Sequence, residues 1–296
     1  LGDKFMIRIE NLSYTYKPET APSLHNINLC IGEGEHIALI GPNGCGKTTL
    51  IRHLNALLLP TGGEVSIDGL KSHEQRNHSE IRRKVGMVFQ NPDNQIVGMS
   101  VEEDVAFGPG NLRLPAAEVR LKVSKALEMV GLSGFEKRAP VTLSGGEKQL
   151  LALAGLLAMD PGYIVLDEAT SSLDANSKEK VLAILKKLQN QNITVIQVTH
   201  NMEEALRADR VMLMAGGQIV ADGPAFQVLA ERERLKSMGL APPVIVELMA
   251  SLEAYGHTPG KPVITVDDAA GEINSWLTHE AAVDEDYAPR RTGGYA

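Results

Sequence analysis

His36-Ile37-Ala38-Leu39-Ile40 runs straight into Gly41-Pro42-Asn43-Gly44-Cys45-Gly46-Lys47-Thr48, and Lys47 to Leu57 follow with helical spacing until Pro60. An apolar strand, a loop of the form G-x-x-x-x-G-K-[ST] and a helix in direct succession read as a phosphate-binding loop. The glycines let backbone N–H groups turn inward around phosphates. The helix that begins near Lys47 aims its positive end at the same charges. Lys47 is placed to reach the β- and γ-phosphates of ATP, and the Thr48 hydroxyl to ligate magnesium. Thr49 completes the run of candidate ATP contacts, Gly41 to Thr49. Cys45 reads as a small side chain that fits the loop rather than as a redox switch.

Outward from this loop, short β-branched runs alternate with amphipathic helical patterns, the mark of an α/β fold. Ile164-Val165-Leu166-Asp167-Glu168 is a second apolar strand, ending in two carboxylates. Parallel strands deliver such groups at their C-terminal ends, where open α/β sheets bind ligands. Asp167 suits magnesium, and Glu168 suits the general base facing an attacking water. Met6–Glu10, Ile27–Ile31 and Glu64–Ile67 are short strand-like runs around the phosphate loop and are expected to form an antiparallel β subdomain at one edge. Further strands are expected at Val85–Phe89, Tyr163–Leu166, Thr194–Val198 and Val211–Met214, and a hairpin turn at Gly216-Gly217. Helices are expected at Glu118–Val130, Lys148–Met159, Lys178–Gln189 and Val244–Tyr255.

The bulk composition narrows the function. A 43% hydrophobic and 22% charged chain is an ordinary globular one. The net charge of −8 and 4% aromatic residues argue against nucleic acid as a partner. Cys30 and Cys45 form no disulfide framework. Leu1-Gly2-Asp3-Lys4 lacks the basic start and apolar core of a signal peptide. The longest apolar run, Leu150 to Met159, falls far short of the ~20 residues that span a bilayer. Any link to a membrane is therefore expected to run through a partner.

Leu143-Ser144-Gly145-Gly146-Glu147 opens the Lys148–Met159 helix and offers N–H groups to an anion without a lysine. With Asp167-Glu168 shortly after it, this segment resembles the signature sequence of ATP-binding cassette ATPases. Other elements resembling that family follow its order over residues 14–200: Tyr16 as the aromatic that stacks on adenine, and Gln90 as the glutamine that senses magnesium and the γ-phosphate. Ser171-Ser172-Leu173-Asp174 resembles the D-loop, and His200 the switch histidine. The resemblance implies two cassettes facing head to tail. Each ATP would lie between one phosphate loop and the other subunit's equivalent of Ser144, Gly145, Gly146 and Glu147. It also implies Thr48, Gln90 and Asp167 around Mg2+, with Glu168, His200 and Gln90 acting in hydrolysis.

Within that family, Gln90-Asn91-Pro92-Asp93-Asn94-Gln95, Val101 to Pro109 and Asp167-Glu168-Ala169-Thr170-Ser171 look like the energy-coupling-factor transporter ATPases. That likeness implies an ATP-driven importer of a vitamin or of cobalt or nickel ions. The implied partners are a second ATPase subunit (identical or paralogous), a transmembrane coupling subunit and a substrate-binding membrane subunit. The chain would sit peripherally on the cytoplasmic face of the cell membrane. Three departures stand out: Glu147 replaces a glutamine, Leu150 an arginine, and the Ser171–Asp174 loop differs slightly from the paralogue type it most resembles. None removes Lys47, Asp167, Glu168 or His200, so a hydrolysing site is expected. The competing readings are the ATPase of another transporter type and a soluble cassette ATPase. The latter usually carries two cassettes or a long insertion, which this chain lacks.

The expected organisation is a P-loop nucleotide-binding domain over 5–230, with a helical subdomain at about 91–160. A C-terminal dimerisation appendage follows over 231–277, marked by Pro242-Pro243, and then a disordered tail over 278–296.

Overall fold

The strand that leads into the phosphate loop, β3 (His36–Ile40), lies inside a six-stranded sheet. The computed structural model describes residues 6–171, 173–260 and 263–286. Ahead of β3 come β1 (Ile7–Tyr14) and β2 (Leu24–Ile31), followed by β4 (Gly62–Ile67), β5 (Leu70–Lys71), β6 (Val85–Val88), β7 (Tyr163–Asp167), β8 (Thr194–Val198), β9 (Arg210–Ala215) and β10 (Gln218–Pro224). The large sheet has the order β10-β9-β3-β8-β7-β6. Its strands run parallel except for β10, which returns antiparallel on β9 through the Gly216-Gly217 turn. The smaller sheet, β2-β1-β4-β5, is antiparallel throughout, as expected of the β subdomain, although β3 and the helix after the phosphate loop intervene between β2 and β4.

Every residue of β3, β7 and β8 is buried, which is why these strands read as unbroken apolar runs rather than alternating ones. The pleat still sorts them between two faces. Tyr163 and Val165 join one core with Ile37, Leu39, Ile196 and the antiparallel sheet, whereas Ile164 and Leu166 join the other. That second core is filled by α3 (Val101–Asn111), α4 (Ala116–Val130), α5 (Gly145–Leu157) and α6 (Ala175–Gln189). The buried face of α4 is a helix-spaced stripe of Val123, Ala126, Leu127 and Val130, with Val119 partly buried beside it.

Helix α1 (Lys47–Leu54) is shorter than its sequence pattern. Asn55 ends it, Ala56 turns to φ 54°, and the N–H groups of Leu57 and Leu58 both fold back onto the Arg52 carbonyl. The chain thus leaves the helix well before Pro60. Helix α2 (His78–Lys84) precedes β6, and α7 (Met202–Ala205) follows β8.

The chain divides into two compact units between Ala225 and Phe226. The second holds most of α8 (Ala225–Ala230), then α9 (Arg232–Ser237), α10 (Val244–Ala254) and α11 (Val266–Asp286). Met249, Val263 and Ala269 form its small core, with Ile245, Leu252 and Trp276 packed on them. Phe226, Val228 and Leu229 fall in this second unit. Helix α11 makes 278–286 helical, which corrects the expected disordered tail there. Residues 287–296 lie outside the described residues.

Candidate active site

The C-terminal ends of β3, β6, β7 and β8 converge because these strands are neighbours and parallel. Past β3 the phosphate loop folds over Met214 of β9, and this contact dictates a glycine. A Cβ on Gly41 would sit 2.2 Å from the Met214 carbonyl oxygen and 2.9 Å from Cys45 Sγ. Gly41 has φ 153°, beyond the reach of most side chains. Cys45 is buried beneath the loop, and burial pushes its thiol up, keeping it protonated and unreactive.

Lys47 is 6% exposed, and its ammonium donates to the carbonyls of Gly41 at 2.8 Å and Pro42 at 3.0 Å. The cation is thus held across the loop. Thr48 Oγ1 donates to Asp167 Oδ1 at 3.2 Å, so the loop and β7 meet at a hydroxyl–carboxylate pair. Burial pushes the Asp167 carboxyl above the ordinary range, partly offset by the Thr48 hydrogen bond. These hard oxygens suit a cation such as magnesium. No group of three His, Cys, Asp or Glu among the described residues could hold a metal alone. A cation here would complete its shell from phosphate oxygens and water.

Glu168 follows β7 at φ 52°, a strained conformation for a side-chain-bearing residue. The turn aims its carboxylate across the strand ends. One oxygen pairs with His200 Nε2 at 2.8 Å, and the other accepts from Gln90 Nε2 at 3.2 Å. Residues from three separate strand ends are thereby brought together on one carboxylate.

Tyr16 is half exposed, and its hydroxyl lies 3.1 Å from Thr49 Oγ1. Its ring packs edge-on against Tyr14, centroids 4.9 Å apart, and Tyr14 packs edge-on against the buried His53 at 4.8 Å. His53 Nδ1 donates to the Thr49 carbonyl at 2.8 Å, which closes a ring of contacts under Tyr16. Neither Tyr14 nor His53 is part of a motif. Their only sequence signal is that β1 alternates and α1 presents one face inward.

Burial holds the His53 imidazole below its ordinary pKa, and that of His36 likewise. The folded chain then binds fewer protons than the unfolded one once pH falls below the unfolded value of 6.5. Stability from these two residues is complete above that pH and is lost as pH falls, at most about 1.4 kcal/mol per pH unit for each. Urea midpoints measured from pH 7.5 to 5.5 should therefore drop, and less steeply in His53→Gln. Equal slopes would show that His53 is not the titrating group.

A cavity of about 630 Å³ joins the phosphate loop, Tyr16 and Glu168, whereas Asp167, Gln90 and His200 do not line it. It is lined by Tyr16, Asn43, Gly44, Gly46, Lys47, Thr48, Thr49 and Glu168, and also by Pro22, Ser23, Gly216 and Gly217. The last four were not legible as site residues. They arrive because the β9–β10 turn docks on the loop, with Gly217 N–H donating to the Cys45 carbonyl at 3.0 Å and its own carbonyl accepting from His25 N–H at 2.9 Å.

Ser144, Gly145, Gly146 and Glu147 do not line this cavity. Ser144 caps α5 in a reciprocal box: its hydroxyl accepts from Glu147 N–H at 3.3 Å, and its own N–H donates to Glu147 Oε2 at 2.7 Å. That bond holds the Glu147 carboxyl below the usual range. The N–H groups of Gly145 and Gly146 have no intrahelical acceptor at this end. Gly146 packs so closely on α6 that a Cβ would meet Ser177 Oγ at 2.4 Å. Asp174 caps α6 there, accepting from Asn176 and Ser177 N–H at 3.0 Å each. Signature and D-loop are thus joined to each other but stand outside the chain's own phosphate site.

Residues 24–171 match the family described as ABC transporter. The chain is 47% identical over 274 residues to a cobalt import ATP-binding protein, CbiO, of Syntrophus aciditrophicus, covering 93% of this chain and 98% of that one. It is 46% identical to the energy-coupling factor transporter ATP-binding protein EcfA1 of Symbiobacterium thermophilum, over 88% of this chain and 93% of the relative. Among solved structures, cbiO1 from Clostridium perfringens, described as part of the ABC transporter complex cbiONQ, superposes with a TM-score of 0.72 at 34% identity. The match covers 83% of this chain and 99% of that one.

Proposed function

The chain belongs to the ABC transporter family as an ATP-binding, ATP-hydrolysing subunit of the energy-coupling-factor type, and from that premise we propose how its residues divide the work. Gly41 to Thr49 wrap the phosphates of ATP, Lys47 neutralises the β and γ oxygens, and Tyr16 carries the adenine. Thr48, Asp167 and Gln90 would hold Mg2+, which would supply positive charge to the phosphate oxygens. Glu168 accepts the proton of the attacking water, with His200 and Gln90 fixing its carboxylate. The buried wall formed by β3, β7 and β8 excludes bulk water behind it.

The observation that carries the dimeric reading is the separation of Ser144–Glu147 from the cavity in the same chain. N–H groups at an exposed helix start gain an anionic ligand only if a second cassette brings its nucleotide there. ATP would then bind two subunits together and its hydrolysis would part them, driving attached membrane proteins. The described residues contain no helix long and apolar enough to cross a membrane. The likeness to ATPase subunits of membrane transporters supports a peripheral place on the cytoplasmic face, beside a second ATPase (identical or paralogous), a coupling subunit and a substrate-binding subunit. The cargo is a vitamin or a transition-metal ion, and the relative named for cobalt import favours the metal.

Mass spectrometry of the detergent-solubilised complex from native membranes should show this chain with a second ATPase subunit and two kinds of integral membrane protein. Recovery of the chain without any membrane protein, while it still hydrolyses ATP at full rate, would overturn the transporter assignment.

A further inference from the structure

Behind the catalytic arrangement lies a buried acid that no motif contains. Glu204, in α7, is 2% exposed. Its carboxylate accepts from Thr170 Oγ1 at 2.9 Å, from Thr199 Oγ1 at 2.8 Å and from Gln197 Nε2 at 2.6 Å. Lys178 Nζ completes the set with an ion pair at 2.7 Å. Removing a carboxylate from water costs several kcal/mol unless its lone pairs are met, and here they are. A core needing only packing would fill the same space with leucine at lower cost.

The identity of the partners shows what the acid joins. Thr170 lies just after Glu168, and Thr199 directly precedes His200. Lys178 is on α6, where its N–H donates to the carbonyl of Asp174, the helix cap that adjoins the signature glycine. Gln197 is on β8 and is itself held by His36 of β3 at 3.3 Å. Three segments that each carry or adjoin a site residue therefore converge on one side chain: the turn after β7, the end of β8 and the start of α6. Glu168 and His200, 2.8 Å apart, lie on two of them.

We infer that Glu204 is a positioning residue for hydrolysis, clamping the segment after Glu168 to the strand end that carries His200, with Lys178 coupling both to the Asp174 helix. The inference rests on Glu168 being the base. Glu204 does not line the nucleotide cavity; it acts by fixing the distance between Glu168 and His200. Geometry at this precision matters because small displacements of a base cost rate while leaving binding alone.

The test uses the assembled complex, with single-turnover phosphate release and ATP affinity measured separately. Thr170→Val, which keeps the volume and removes one donor, should lower the turnover rate three- to ten-fold. Glu204→Leu should lower it at least thirty-fold, and Glu204→Gln should restore part of that loss. ATP affinity should change less than threefold in all three. A Glu204→Leu substitution added to Glu168→Gln should cause little further loss, because the group it positions is already disabled. Should Glu204→Leu fail to fold, Thr170→Val and Lys178→Met decide the matter alone. Wild-type turnover in Thr170→Val and Lys178→Met, or fully multiplicative losses in the double variant, would overturn the inference. Wild-type turnover in Glu168→Gln by itself would instead overturn the assignment of the base.

Discussion

Glu168→Gln is expected to slow ATP turnover by the assembled complex about 100- to 1,000-fold. A positioned general base contributes roughly 10²–10⁴-fold, and the amide cannot take the proton from water. A hundredfold loss corresponds to about 2.7 kcal/mol of transition-state stabilisation. The fold should not register the change. The amide oxygen still accepts one of the two hydrogen bonds from His200 and Gln90, and the side chain is only partly buried. ATP affinity should stay within a few-fold, since in the proposed arrangement Glu168 faces the attacking water rather than the adenine or the phosphates held by the loop. Phosphate release together with fluorescent-nucleotide binding separates the two effects. Turnover within threefold of wild type would remove Glu168 as the base.

Lys47→Ala acts at the opposite point, on binding. A hydrogen bond to a charged group is worth about 1.5–3 kcal/mol, so loss of the ammonium should weaken ATP binding roughly 10- to 150-fold. A second penalty adds to this. The Gly41 and Pro42 carbonyls lose the donor that holds them at 2.8 and 3.0 Å, and the loop loses its internal brace. Lys47→Arg should not restore affinity, because a planar guanidinium does not fit a slot shaped for a compact ammonium that is 6% exposed. Titration calorimetry with ATP measures the loss, and thermal unfolding checks that the fold persists. Lys47→Ala binding ATP as tightly as wild type would sink this account of the loop.

The signature segment shows how a residue's location changes its meaning. From the sequence, Ser144 is either an anion site or a helix cap, and the structure makes it a cap by its bonds with Glu147. The two roles are compatible because the cap satisfies one N–H and leaves those of Gly145 and Gly146 without an intrahelical acceptor. The Glu147 departure is absorbed in the same way, because glutamate and glutamine both complete a capping box.

The phosphate loop, the acids ending β7 and the α/β class are legible in the amino-acid sequence. Each is written in contiguous residues whose backbone or side-chain chemistry acts locally: glycines in a turn, apolar runs in a buried strand, carboxylates at its end. Only the tertiary structure decided that Gly217 and Ser23 line the nucleotide cavity, that His53 supports Tyr16 through Tyr14, and that Glu204 joins Thr170 to Thr199. These residues are far apart in the chain, with no fixed spacing between them. They meet because strand order sets which loops are neighbours, and strand order is settled by how the two cores pack rather than by any local stretch of sequence.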